Sequence, residues 1–123
     1  MIDQLDAIQT KRLRLRAEGR ATFAVQRQGE AIGRVGFRSA AERAPEARIW
    51  IAQTHRGQGF ATEALKAALA WARHSWGRRY VAAGHHLADA AMARVLIKAG
   101  FLYTGVVAPR EAGEPVRMMV WLA

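Results

Sequence analysis

The sequence predicts a single α/β (α+β) domain with about seven strands and two main helices. Three observations predict it. Short runs alternate apolar and polar residues, two longer stretches carry apolar residues at helical spacing, and a glycine-rich turn joins a strand to the first of those stretches. A chain of 123 residues has room for one compact domain, 1–123, and its hydrophobic fraction of 51% is that of a globular protein. No internal repeat or linker divides it.

Residues 1–9 carry little signal. From Lys11 to Ala17 basic residues alternate with Leu13 and Leu15, the pattern of a half-buried strand. Ala21–Arg27 and Glu30–Arg38 form the next pair around Gln28-Gly29. Phe23 and Val25 alternate, as does Ile32, and then Val35 and Phe37 continue after a phase slip near Gly33, which predicts a bulge. Residues 39–45 read as a loop and Glu46–Gln53 as the fourth strand. The first helix spans Gly59 to Trp76, with Ala61, Leu65, Ala68 and Ala72 on one stripe of small residues suited to close packing on a sheet. Trp71 and Trp76 read as packing anchors. After Gly77, Tyr80–His86 is a strand. Asp89–Ala99 is the second helix, with Met92, Val95, Leu96 and Ala99 inward and Gly100 closing it. Phe101–Ala108 and Val116–Leu122 make a hairpin around residues 111–113. In the last strand Val116, Met118, Val120 and Leu122 face one way and Met119 and Trp121 the other. Both faces therefore need cover, and a second copy in a homodimer would supply it.

Net charge is +9, from 19 Lys+Arg against 10 Asp+Glu, which favours anionic partners. The arginines are spread along the chain, which argues against a disordered nucleic-acid arm and leaves a basic face open. There is no cysteine, so disulfides, thiolate metal sites and a cysteine nucleophile are excluded. No apolar run is long enough to span a bilayer, and the first residues lack the features of a signal peptide, so a cytoplasmic location without membrane partners is expected.

The strand Ile49–Ala52, the turn Arg56-Gly57-Gln58-Gly59-Phe60-Ala61-Thr62 and the helix behind it have the order of an anion site. Gly57 and Gly59 allow a sharp turn and close approach of a ligand, and a helix N-terminus offers unpaired N–H groups with the positive end of its dipole. On the same residues, Arg56-x-x-Gly59-x-Ala61 resembles the coenzyme-A-binding signature of the GNAT superfamily of N-acetyltransferases. The longer run Trp50–Leu65 resembles its RimJ/RimL-like branch, which includes ribosomal-protein N-terminal acetyltransferases. Arg94–Phe101 is similar to that branch's later helix and Gly-Phe exit, and Thr10–Arg16 to its opening strand.

The resemblance implies a single GNAT-type domain with a mixed, mostly antiparallel, twisted sheet. It also implies transfer of acetyl from acetyl-CoA to a primary amine, a protein N-terminus or small amine, by direct attack. The implied cofactor contacts are Arg56, Gly57, Gln58, Gly59, Phe60, Ala61 and Thr62 on the pyrophosphate. Backbone N–H groups of Ile51, Ala52 and Gln53 would polarise the thioester carbonyl. Asp89 reads either as a cofactor contact or as a helix cap worth about 1 kcal/mol.

Proton acceptors are sought among Glu46, Glu30, His85 and His86, with Glu46 and His85 as the catalytic candidates. His85 and His86 are adjacent on a strand and point to opposite faces, so at most one enters the cleft and the pair is no metal site. A surface or packing role is the alternative for each histidine. His55 and His74 read as surface residues, and Glu63 and Lys66 as solvated helix face.

Two departures from the family stand out. Met92 and Leu96 occupy positions where relatives carry hydroxyl donors, so an acyl-CoA-binding protein with little or no turnover is an alternative. Only Glu18, Gly19 and Arg20 separate Ala17 from Ala21, where relatives carry two helices that help form the acceptor pocket. A third reading, a basic nucleic-acid-binding module, rests on the charge alone. It lacks the interleaved aromatics of a single-strand platform.

Overall fold

The computed structural model describes residues 7–39, 44–109 and 114–123. The expected hairpin turn at 111–113 and most of the loop at 39–45 lie outside these residues. The alternating segments fold as strands β1 (Ala7–Gln9), β2 (Arg14–Ala17), β3 (Thr22–Arg27), β4 (Glu30–Arg38), β5 (Glu46–Ile51), β6 (Tyr80–His86), β7 (Leu102–Ala108) and β8 (Val116–Leu122). The helical stretches fold as α1 (Phe60–His74) and α2 (Ala90–Lys98), and a short 3-10 turn, Gln53–His55, follows β5. The domain is mixed α and β, as expected, with eight strands in one sheet in the order β1-β2-β3-β4-β5-β6-β8-β7. The strand beyond the expected seven is β1, whose three residues pair with β2. The phase slip is a bulge: Val25 lies opposite Gly33 and Gln26 opposite Ala31, which leaves Ile32 as the extra residue.

Neighbouring strands run antiparallel except β5 and β6, which are parallel and meet in register only where Glu46 lies opposite Ala82. Beyond that point the two strands part. This split in the middle of the sheet positions the site.

Strand alternation puts Leu15, Phe23, Val25, Val35, Phe37, Ala47, Val81 and Ala83 on one face, all buried. Helix α1 covers that face with Ala64, Leu65, Ala68 and Ala72, each fully buried. The small side chains let the helix axis come close, and Trp71 fills the space left beyond them. Its ring meets Phe23 edge-on at 5.1 Å and stacks on Trp76 at 5.4 Å and on Phe37 at 6.2 Å. Both tryptophans are packing anchors, as expected. Helix α2 lies on the same side, with Leu96 and Ala99 in the common core.

The opposite face carries no helix among the described residues. The connection from β2 to β3 is a turn closed by the Glu18 amide donating to the Thr22 carbonyl at 2.9 Å. Arg14, Arg16, Arg34, Arg38, Arg48 and Trp50 stand exposed on that face. Toward β7 it becomes apolar, with Tyr80, Leu102 and Leu122 exposed. Among the described residues no helix is long and apolar enough to cross a membrane.

Candidate active site

The split between β5 and β6 opens into a cleft of about 530 Å³. Its walls come from Ile49, Trp50 and Ile51 on β5, from His55, Arg56, Gly57 and Gly59 in the connecting turn, and from Phe60, Ala61 and Thr62 at the start of α1. Asp89, Met92, Arg94, Val95 and Lys98 close it from α2. The structure thus brings the glycine turn, the end of β5 and the start of α2 together around one space.

Gly57 and Gly59 have φ of +78° and +82°, in the left-handed region where an L side chain is strained. Gly59 is the N-cap of α1, and no side chain caps the helix. The first N–H groups of this 15-residue helix therefore face the cleft mouth uncapped, at the positive end of the dipole. Around them stand Arg56 in the turn and Arg94 and Lys98 on α2. These two are four residues apart and so share a helix face. The donor set fits a pyrophosphate-bearing ligand such as coenzyme A: backbone donors, three cations and an apolar strip along Ile49, Ile51, Met92 and Val95.

Backbone direction decides which amides reach the cleft. The Ala52 amide donates to the Ile32 carbonyl oxygen on β4 at 2.7 Å. The expected donor role of Ala52 toward a thioester is therefore corrected, because that N–H is spent inside the sheet. Alternation turns the Ile51 N–H and C=O the other way, into the split. The Ile51 carbonyl accepts a 2.6 Å bond from Arg56 Nε, which leaves the Ile51 N–H as the strand's terminal donor on the cleft side. Gln53 lies in the 3-10 turn, where its carbonyl accepts from the Arg56 amide at 3.2 Å.

The turn is held from outside by a contact that links distant parts of the chain. Glu63 Oε2 accepts from Thr10 Oγ1 at 2.6 Å and from the Arg12 amide at 2.8 Å, and Glu63 Oε1 pairs with Arg12 Nε at 2.6 Å. Arg12 Nη1 then donates to the Gln58 carbonyl at 2.9 Å, and its guanidinium lies 4.4 Å from the centre of the Phe60 ring. Burial pushes the Glu63 carboxyl up, but the bonds from Thr10 and Arg12 and the Arg12 charge outweigh it and hold the group below the ordinary glutamate value. Glu63 is thus no solvated helix residue, contrary to its sequence reading. Lys66 is exposed, as expected.

Asp89 caps α2: its side chain accepts from the Met92 amide at 3.0 Å, and the residue also lines the cleft. Glu46 and His85, the proposed catalytic pair, are outside the cleft wall among the described residues. Glu46 sits where β5 and β6 still pair, about 16 Å along the strand from Ile51, with Arg48 at 3.3 Å. His85 is buried, with Nδ1 2.8 Å from the His86 carbonyl oxygen and Nε2 2.9 Å from the Tyr103 hydroxyl. Nδ1 must donate to the carbonyl, so Nε2 accepts from Tyr103 and has no lone pair left for an amine. His86 is exposed beside Glu114, and Glu30 is exposed 3.5 Å from His55.

Sequence reasoning missed His55, Arg94 and Lys98 as parts of the cleft. The Arg94/Lys98 spacing was the available signal for the last two; His55 carried none, because its place depends on how the turn folds.

The sequence matches a family model described as an acetyltransferase (GNAT) domain over residues 2–102. No curated protein matches the chain. Among solved structures, the acetyltransferase from Agrobacterium tumefaciens str. C58 superposes with a TM-score of 0.82 at 16% identity, covering 100% of this chain and 98% of that one. Mycobacterium smegmatis RimJ, solved in complex with CoA-disulfide, gives 0.74 at 21% identity, covering 84% of this chain and 54% of RimJ. The ribosomal-protein-S5-alanine acetyltransferase from Vibrio fischeri gives 0.73 at 18%, covering 82% and 60%. At these identities the likeness is one of fold. The chain spans 54–66% of the length of several such structures and nearly all of the Agrobacterium protein.

Proposed function

As this chain belongs to the GNAT acetyltransferase family, we propose that it transfers acetyl from acetyl-CoA to a primary amine, a protein N-terminus or small amine, by direct attack. The observation that carries this reading is the split between β5 and β6 opening on an uncapped, glycine-turned helix N-terminus. Acetyl-CoA, when bound, supplies an activated acyl carbonyl.

The chain's own residues supply the rest. The amides at the start of α1, with Arg56, Arg94 and Lys98, would hold the phosphate oxygens of the cofactor. The Ile51 N–H, turned into the split, would stabilise negative charge developing on the carbonyl oxygen. The amine must lose a proton as it attacks. In the cleft wall Asp89 is engaged as a cap, and both ring nitrogens of His55 have partners, Nδ1 3.0 Å from Thr54 Oγ1 and Nε2 3.5 Å from Glu30 Oε1, so the proton would pass to water in the open cleft.

Calorimetric titration of acetyl-CoA and then CoA at low and high salt tests the reading. Micromolar binding that survives added salt, followed by amine-stimulated CoA release, is the expected result. No binding would overturn it, and binding without stimulated release under an amine screen would favour an acyl-CoA binder instead.

A further inference from the structure

The bare face of the sheet is chemically divided. From β2 to β5 it carries Arg14, Arg16, Arg34, Arg38 and Arg48 exposed, with Trp50 beside them. Strand register aligns Arg16, Ala24, Arg34 and Trp50 in one row across the sheet. Opposing charge on this face is sparse. Glu18 meets Arg34 at 3.0 Å and Glu46 meets Arg48 at 3.3 Å, while Arg14, Arg16 and Arg38 have no acidic partner among the described residues. At strand spacings near 4.8 Å such an array is a field of one sign held on a rigid base.

This field is continuous with the cleft. Trp50, 57% exposed, lines both the cleft and a shallow groove on the open face that also includes Arg34, Arg38 and Arg48. Whatever lies along the arginines therefore ends at the rim where β5 opens.

We infer that the basic half of this face is the acceptor-docking surface, and that it takes an acidic polypeptide segment whose amine is delivered past Trp50 into the cleft. The inference rests on the acyl-transfer reading above. Charge selects the occupant. A second copy of this chain would set arginines against arginines on this half. Nucleic acid satisfies the charge, but its base amines are poor nucleophiles for direct attack on a thioester. A single-strand platform also needs successive stacking rings, and among the described residues only Trp50 stands exposed within the arginine field. A polypeptide rich in Asp or Glu supplies both the carboxylates that arginine pairs with and an aliphatic amine.

Fluorescence anisotropy with a short labelled Glu-rich peptide tests this, against a Gln-rich peptide of equal length and a single-stranded oligonucleotide. The Glu-rich peptide is expected to bind at least tenfold more tightly than the Gln-rich one, and its affinity to fall with salt. Arg34→Glu with Arg48→Glu is expected to weaken it by a further order of magnitude while leaving the affinity for acetyl-CoA unchanged. The parent protein's salt dependence needs no variant, so a folding defect in the double variant would not obscure the result. Equal binding of both peptides, peptide binding indifferent to the charge reversal, or selective binding of the oligonucleotide would overturn the inference. Failure of the parent to bind acetyl-CoA would overturn the acyl-transfer reading, and the assignment of an acceptor surface with it. In that case, charge-selective peptide binding would make the face a plain docking site.

Discussion

Removing the Glu63 carboxylate should loosen the glycine turn from a distance. In the parent, Glu63 accepts three bonds, from Thr10 Oγ1, the Arg12 amide and Arg12 Nε, and Arg12 in turn holds the Gln58 carbonyl. Two of these donors have somewhere else to go. Thr10 Oγ1 also reaches the Leu13 carbonyl at 3.2 Å, and the Arg12 amide is exposed enough to take water. Their net loss is about 0.5 kcal/mol each. The Arg12 pair is partly screened, its side chain being 39% exposed, so it contributes about 1 kcal/mol at most. Glu63→Ala should therefore cost about 2 kcal/mol, roughly 6–10 °C in Tm for a domain of this size. Glu63→Gln keeps an acceptor oxygen and should cost about half as much.

The pH dependence follows from the sign of the shift. The folded-state pKa of Glu63 is depressed, so its stabilisation is fully present above the unfolded value and is lost as pH falls through the lower folded value. The gap between parent and Glu63→Gln should thus be constant near neutral pH and close only below the ordinary glutamate range of about 4–4.5. Thermal melts followed by circular dichroism from neutral to acid pH read this directly. Variants that melt with the parent at neutral pH, or a gap that persists unchanged into acid, would refute the assignment of Glu63 as a charged anchor.

Substitutions at three further positions probe the cleft. Gly59→Ala places a Cβ at φ +82° and 3.3 Å from Arg12 Nη2; it should cost about 1 kcal/mol of stability and at least tenfold in acetyl-CoA affinity, read by melting and calorimetry. Arg56→Ala removes both a cation and the 2.6 Å bond to Ile51; acetyl-CoA affinity should fall about tenfold and its salt dependence should flatten, while stability changes little. Asp89→Ala should destabilise the protein by about 1 kcal/mol through loss of the α2 cap, and Asp89→Asn should restore most of it. If Asn restores stability but not acetyl-CoA affinity, Asp89 also contacts the cofactor.

What the sequence made legible and what it hid divide along contact range. Period-two alternation marked strands such as β2 and β4 because they carry their buried face in their own residues, whereas β7, exposed along most of its length, was placed as the first arm of the hairpin that β8 completes. β1 escaped because three residues cannot show a period, and its pairing with β2 is what makes it a strand. Glu63 and Lys66 look alike on a helical wheel. Only the fold brings Thr10 and Arg12, more than fifty positions away in the chain, to Glu63 and leaves Lys66 in water. Ala52 could not be separated from Ile51 by composition, since both precede the same turn. The bulge at Ile32 and the register of β4 with β5 fix which of the two amides is spent on the sheet.

The same logic explains the basic face. Its arginines were visible as the polar half of each alternation, a pattern that a solvated strand surface also shows. Their meaning comes from the short β2–β3 connection, which leaves them without a covering helix among the described residues, and from the split after Glu46, which brings the Trp50 end of their row to the cleft. On the proposed reading, a sheet face bare among the described residues beside the split would give the acceptor an open, charged approach. Selectivity should then reside in the charge of what docks more than in the shape of a single side chain. On that argument, small amines without attached acidic groups should be the poorer acceptors, and their turnover should be insensitive to charge reversal at Arg34 and Arg48.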